Sequence, residues 1–266
     1  MRKSIDPTHL WDNAYAALIF FTRLPFWRLY QPPKESYAHV VEYWPLAGWI
    51  TAAAMAATLY VSSLVMPYPI AVIAAIVVRI LVTGALHEDG LCDFFDGFGG
   101  GGSDRQRILD IMKDSRIGTY GMLGILLYVM LLFCCLWSLP PEAAAWAILA
   151  GDPYAKMVAS QIIMMMPYAR KEEEAKAKVV YKPISVKAGI ILAVQGLLPL
   201  AAYLLWSPCA PARWDVTVFA PCLTMYVLYL LIWKRLRGYT GDCCGAIFLL
   251  VELTFYLAVV GLTATL

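Results

Sequence analysis

Long apolar runs separated by short polar or Pro/Gly-bearing breaks dominate this chain, and their lengths predict helices rather than strands. Seven runs are suited to cross about 30 Å of hydrocarbon at ~1.5 Å per residue: Val41–Met66, Ile70–Leu86, Gly118–Trp137, Ala143–Pro167, Val186–Trp206, Val216–Trp233 and Cys244–Leu266. The second is short and carries Arg79. Breakers divide them at Met66–Pro69, Ser138–Glu142 and Ser207–Asp215. Before the first run, Leu10–Phe21 contains Asp12 and is followed by Arg23 and Arg28, a pattern that suits an interfacial helix better than a crossing one. A second, short amphipathic helix is expected after Ser103 as N-cap, with Ile108, Ile111 and Met112 as its apolar face.

The expected fold class is therefore all-α: a multi-pass transmembrane helix bundle of about seven spans, residues 1–266 forming one integral-membrane domain. Composition agrees, because 61% hydrophobic and 15% charged residues are too apolar for an ordinary soluble domain. Arg2 and Lys3 are not followed by an uncharged stretch long enough for a removable signal peptide. The 7 cysteines include no CxxC pair and are expected to be reduced, structural thiols.

Positive charge alternates between the connections. Arg23, Arg28 and Lys34 precede the first run, and Arg105, Arg107, Lys113 and Arg116 follow the second. Arg170 to Lys187 surround the fourth junction, while Lys234, Arg235 and Arg237 precede the last run. The other connections carry only Arg213. The positive-inside rule then puts the basic connections on the cytoplasmic side of a cell (inner) membrane. The mixed-charge run Lys171–Lys178 is expected to be a solvated connection.

On that side lies the densest chemistry. His87–Gly97 holds Glu88, Asp89, Asp93 and Asp96, and the spacing of the three aspartates confines them to about 60° of a helix. Carboxylates so close repel one another unless a cation or solvent lies among them. His87 falls about 160° off that stripe and suits a hydrogen-bonded structural role. Asp110 and Asp114 form a second acidic pair, flanked by Lys113, Ser115 and Arg116. Two carboxylate groups with nearby cations suit phosphoryl transfer around Mg²⁺, which prefers oxygen ligands and shares its shell with substrate phosphates. The Asp93–Asp96–Gly97 to Asp110–Asp114 pattern is also similar to that of CDP-alcohol phosphotransferases, which make phospholipids. Asp152 and Lys156, four apart inside an apolar run, either pair with each other or mark an ion path. On the second view the chain is an ion-coupled transporter.

Taken in order, FFTRLP (Phe20–Pro25), PLAGW (Pro45–Trp49), LHEDGLCDFFDGFGGG (Leu86–Gly101), RILDIMKDSRIGTYG (Arg107–Gly121) and GYTGDCCGA (Gly238–Ala246) with Glu252 resemble the cobalamin synthases, or adenosylcobinamide-GDP ribazoletransferases. The resemblance implies a membrane enzyme that joins adenosylcobinamide-GDP to α-ribazole or its 5′-phosphate. GMP is released, Mg²⁺ is required, and the ribazole 3′-hydroxyl attacks the phosphorus bearing the cobinamide alcohol. On this reading Asp89, Asp93 and Asp96 hold metal, with Glu88 and Asp110 as further candidates. Asp114 is the base, and Lys113 and Arg116 neutralise the leaving phosphate. Arg23, Ser115, Thr240 and Asp242 are candidates for binding substrate phosphate. The expected partners are the two substrates and membrane lipid, without nucleic acid; self-association is left open.

Overall fold

The computed structural model describes residues 7–170, 180–208, 210 and 213–263. Its helices run in the order α1 (Pro7–Phe21), α2 (Trp44–Ser63), α3 (Tyr68–Thr83), α4 (Leu86–Gly100), α5 (Arg105–Ile111), α6 (Thr119–Trp137), α7 (Pro141–Ser160), α8 (Ile162–Met165), α9 (Val186–Trp206), α10 (Trp214–Leu236) and α11 (Gly241–Thr263). Two 3₁₀ stretches, Phe26–Arg28 and Lys34–Tyr43, lie between α1 and α2. Among the described residues no strand forms beyond an isolated bridge between Tyr168 and Tyr239. The all-α expectation holds. The mixed-charge run Lys171–Lys178 and Cys209 lie outside the described residues, and the other cysteines are unpaired thiols.

Proline opens α2, α3 and α7 within the first two positions, where its missing N–H costs nothing. Five helical segments are long and apolar enough to cross a membrane, or six if α3 and α4 together make one span. The expected count of seven is thus reduced, and for two physical reasons. The second apolar run does not continue to Leu86, because Gly84 (φ 66°) and Ala85 (φ 58°) both turn left-handed. Both of their N–H groups close back on the Ile80 carbonyl, and the chain bends by 91° into α4. The fourth run fails because α7 carries Asp152 and Lys156 and breaks at Gln161 before α8. That helix packs against α2, α9 and α11 and is buried along nearly its whole length, so protein rather than lipid surrounds its charges.

At the centre stands α11, with 72% of its most apolar window buried, against 28% for each of α6, α9 and α10. Two ionic clusters pin neighbouring helices around it. In the first, Arg79 of α3 donates to Glu252 of α11 at 2.6 Å and to the Tyr128 hydroxyl of α6 at 2.7 Å, while Tyr256 donates to Glu252 at 2.9 Å. Glu88 of α4 stands 3.6 Å from the same guanidinium. In the second, Lys156 pairs with Asp152 on α7 and donates to Thr51 of α2 at 3.2 Å, and Thr51 donates to Asp152 at 2.8 Å. The Lys156 ammonium also lies 4.2 Å from the centre of the Phe248 ring. Of the two alternatives left by the sequence for Asp152 and Lys156, mutual pairing is what the chain adopts.

Candidate active site at the basic end of the bundle

The basic connections meet at one end of the molecule, and they are tied together by arginines that serve backbone carbonyls, three of the four at helix ends. Arg105 donates to Leu236 O at 2.7 Å, at the end of α10, and to Ala169 O. Arg170 donates to Leu109 O in the last turn of α5 at 3.1 Å, and Arg235 to Phe98 O in the last turn of α4 at 2.7 Å. Late helix carbonyls have no intrahelical partner and carry partial negative charge, so guanidinium groups suit them.

Between these connections lies a cavity of about 280 Å³. One wall is aromatic, built from Phe20 and Phe21 at the end of α1 and Trp44 at the start of α2. The first turns of α4 and α11 also line it and bring Asp89 and Asp242 to the same space, together with Tyr168, Arg170 and Tyr181. Glycine makes that juxtaposition of helix starts feasible. A Cβ at Gly90 would stand 3.1 Å from the Asp242 backbone, and one at Gly245 would stand 3.3 Å from the backbone of His87. His87 accepts from the Trp44 indole N–H at 3.3 Å and lies among Phe21, Trp44 and Phe248, which makes it part of the wall, as its place off the stripe suggested. Burial pushes the Tyr181 hydroxyl well above its ordinary pKa and raises that of Tyr168, so both phenols stay protonated.

The structure sorts the acidic stripe by environment. α4 is helical through it, with Asp89 exposed, Asp93 half-buried and Asp96 buried. Asp96 is engaged elsewhere: it accepts from the N–H groups of Gly118 at 2.6 Å and Gly121 at 2.8 Å, capping the start of α6 from a neighbouring helix. A Cβ at either glycine would collide with its carboxylate. Glu88, one residue off the stripe, turns inward to Arg79 and leaves the proposed ligand set. Asp110 is exposed on α5 and accepts from Gln106 at 2.9 Å. The cap of α5 is Asp104 rather than Ser103, accepting from Gln106 and Arg107. Its apolar face packs on the Gly97 and Gly101 side of α4 through Ile108 and Met112, instead of facing the membrane interface.

Asp114 and Arg116 form a bidentate pair with a shortest contact of 2.6 Å, and the arginine holds the Asp114 carboxyl down to about 2. A carboxylate so acidic is a weak proton acceptor near neutral pH, which counts against Asp114 as the base. Lys113 and Ser115 are exposed beside it. Thr240 is fully buried and its hydroxyl accepts the Cys243 N–H at 3.2 Å, so it caps α11 instead of facing a ligand. Arg23 lies over Gly84 at the α3–α4 corner and does not line the cavity. Arg170, Tyr168 and Tyr181, which do line it, carry no motif signal; Arg170 reads as one more charge of a basic connection.

Among the described residues no three His, Cys, Asp or Glu side chains converge tightly enough to cage a metal. Mg²⁺ needs less than that, because it is commonly held by one or two carboxylates and completes its shell with water and substrate phosphate. Asp89 at the cavity, with Asp93 one turn along the same helix face, meets that lesser demand.

A family model described as cobalamin-5-phosphate synthase matches residues 13–260. An adenosylcobinamide-GDP ribazoletransferase of Leptospira interrogans is 31% identical over 252 residues, covering 94% of this chain and 95% of its own. One of Shewanella frigidimarina is 34% identical over 254 residues, with 92% of each chain covered, and one of Ralstonia nicotianae 33% over 237 residues, with 88% of each. No solved structure matches. The match runs through α1 to α11 and takes in every wall of the cavity, and the chain belongs to the cobalamin-5-phosphate synthase family.

Proposed function

We propose that this membrane-embedded transferase joins adenosylcobinamide-GDP to α-ribazole or its 5′-phosphate, releases GMP, and uses Mg²⁺. The observation that carries this reading is the opening of Asp89, Asp242 and Arg170 onto one cavity, in a chain that matches its family almost from end to end. The convergence of the basic connections supports placing that cavity on the cytoplasmic side of the cell membrane, where charged substrates are available.

The bond formed joins the ribazole 3′-oxygen to the phosphorus bearing the cobinamide alcohol; the bond broken releases GMP from that phosphorus. Mg²⁺, when bound, would be held by Asp89 and Asp93 and would neutralise charge on the diphosphate oxygens. Asp242 replaces Asp114 as the proton acceptor for the attacking hydroxyl, because it faces the cavity, whereas Asp114 is tied to Arg116 and is a weak proton acceptor. Arg170 and the protonated phenols of Tyr168 and Tyr181 supply donors in that cavity. Lys113 and Arg116 keep their proposed role toward the departing phosphate, which requires Arg116 to exchange Asp114 for it.

The test is direct. Purified full-length protein in lipid nanodiscs, given adenosylcobinamide-GDP, α-ribazole 5′-phosphate and Mg²⁺, should yield adenosylcobalamin 5′-phosphate and GMP in equal amounts by mass spectrometry. Folded protein that yields neither, or that incorporates a CDP-alcohol into lipid, overturns the assignment.

A further inference from the structure

Helices α9 and α10 follow one another in the chain but do not pack along each other. Farther from the basic end both are held to the core. The rings of Tyr203 of α9 and Phe255 of α11 lie 6.2 Å apart, and the Tyr154 hydroxyl of α7 donates to Val218 O of α10 at 2.7 Å. Nearer the basic end they take different partners. The 3₁₀ stretch before α2 holds α9 and the chain entering it, where Lys182 N–H donates to Ala38 O at 2.9 Å and Gln195 to Glu42 O at 3.2 Å. Arg105 instead ties the end of α10 to α5. Between the two helices, floored by the end of α7 and by α8, lies a groove of about 680 Å³.

No charged residue lines that groove, and four methionines, Met157, Met164, Met165 and Met225, stand in its walls. Methionine is flexible, so such walls adapt to an occupant that is itself flexible. The depth of the groove points to which one. Along α9 it extends from Ser185 through Gly189 and Ala193 to Leu197, about 18 Å of helix rise. That is close to one leaflet's share of a hydrocarbon core about 30 Å thick. A crossing helix from a second copy needs the whole thickness, whereas an acyl chain needs one leaflet. Nothing in a bilayer drives α9 and α10 together to remove the void, since lipid tails are as apolar as the helices. The mouth supplies the charge. Lys182 and Lys187 are exposed on either side of Ile184–Val186, which line the groove at the basic end, and no Asp or Glu lies between Val180 and Trp206. Cations at the mouth of an apolar groove match an anionic headgroup that carries acyl chains.

We propose that this groove is a binding site for an anionic diacyl phospholipid of the leaflet at the basic end, with an acyl chain against the methionine walls and the phosphate at Lys182 and Lys187. The site shares no lining residue with the cavity of Asp89 and Asp242, and its ligand is a lipid rather than either substrate.

Native mass spectrometry of the detergent-solubilised full-length protein, titrated with phosphatidylglycerol or phosphatidylcholine, tests this. One phosphatidylglycerol should be retained per chain, at least about tenfold more tightly than phosphatidylcholine. Lys182→Gln with Lys187→Gln should bring the two lipids within about twofold of each other. Gly189→Phe fills the groove, and a Cβ at Gly189 meets only Ile184 Cγ2, at an ordinary 3.8 Å. It should abolish retention while tryptophan fluorescence shows an unchanged unfolding transition. Ala193→Phe, in the same stretch of the wall, decides the matter if Gly189→Phe does not fold. Retention that ignores both filling variants would make the lipid part of the general annulus and sink the site. Wild-type protein that holds the two lipids equally would remove the phosphate from the lysines. A lipid-free pair of chains that Gly189→Phe splits into single chains would give the groove to a second copy.

Discussion

Two arginine–carboxylate pairs in this molecule have the same shortest separation, 2.6 Å, in opposite surroundings. Arg79 and Glu252 are 2% and 0% exposed, at the centre of the bundle, whereas Arg116 and Asp114 are 87% and 38% exposed in the connection between α5 and α6. In water an ion pair gains little, because solvent screens it and both side chains must be held still. Inside the bundle neither charge has water to return to, so removing one strands the other. Equal geometry therefore serves different ends. The inner pair fixes α3 to α11 and so holds the 91° corner that carries α4, while the outer pair can part when a phosphate competes for the guanidinium.

The largest expected effect comes from the inner pair. Arg79→Met should lose about 3–5 kcal/mol of folding stability, since it leaves Glu252 and the nearby Glu88 uncompensated. Glu252→Leu should cost a similar amount by stranding Arg79. The double variant Arg79→Met with Glu252→Leu should cost clearly less than the sum, with a coupling of about 0.5–3 kcal/mol. Unfolding of the detergent-solubilised protein, followed by tryptophan fluorescence, reads all three. Single variants as stable as an Asp114 variant would break the comparison at its root.

Next in size are two aspartates of one helix face that the structure sets apart. Asp89→Asn should lower turnover by about 10²–10³, raise the Mg²⁺ concentration needed, and leave unfolding unchanged. Asp96→Asn should weaken the bonds from Gly118 and Gly121, costing about 1.5–3 kcal/mol, and leave the Mg²⁺ requirement of the surviving protein unaltered. Titrating activity against Mg²⁺ beside a melting curve separates them. A raised Mg²⁺ demand in Asp96→Asn would return that residue to the ligand set.

That sorting marks where the sequence was legible. Helical spacing is fixed by backbone geometry, so the common face of Asp89, Asp93 and Asp96 could be read from their numbers alone. What lies opposite each residue depends on neighbours remote in the chain: Gly118 for Asp96, Arg79 for Glu88, Asp242 for Asp89. The corner at Gly84 and Ala85 was hidden because apolar residues continue beyond it and alanine rarely turns left-handed. Conversely, Asp152 and Lys156 could be paired from spacing alone because they share one helix, although their burial among α2, α9 and α11 could not. Arg170 gave no sign, since one basic residue among many in a connection carries a topological signal whether or not it lines a cavity.

The smallest effect sharpens the outer half of the comparison. Arg116 lowers the Asp114 carboxyl from 3.8 to about 2. A depressed folded-state value means that the pair is complete above 3.8 and is lost only as pH falls through about 2, so its formation does not change between neutrality and mild acid. Arg116→Ala should raise the Asp114 midpoint toward 3.8, readable by carbon-13 NMR of the carboxyl with Asp114→Asn to assign the signal. Neither variant should move the unfolding transition measurably, since both side chains are exposed. If the loop is recruited to phosphate as proposed, saturating GMP must take Arg116 from Asp114 and raise the same midpoint in the unmodified protein. A midpoint that rises in Arg116→Ala and ignores GMP would leave the ion pair intact as a structural feature while removing Arg116 from the departing phosphate.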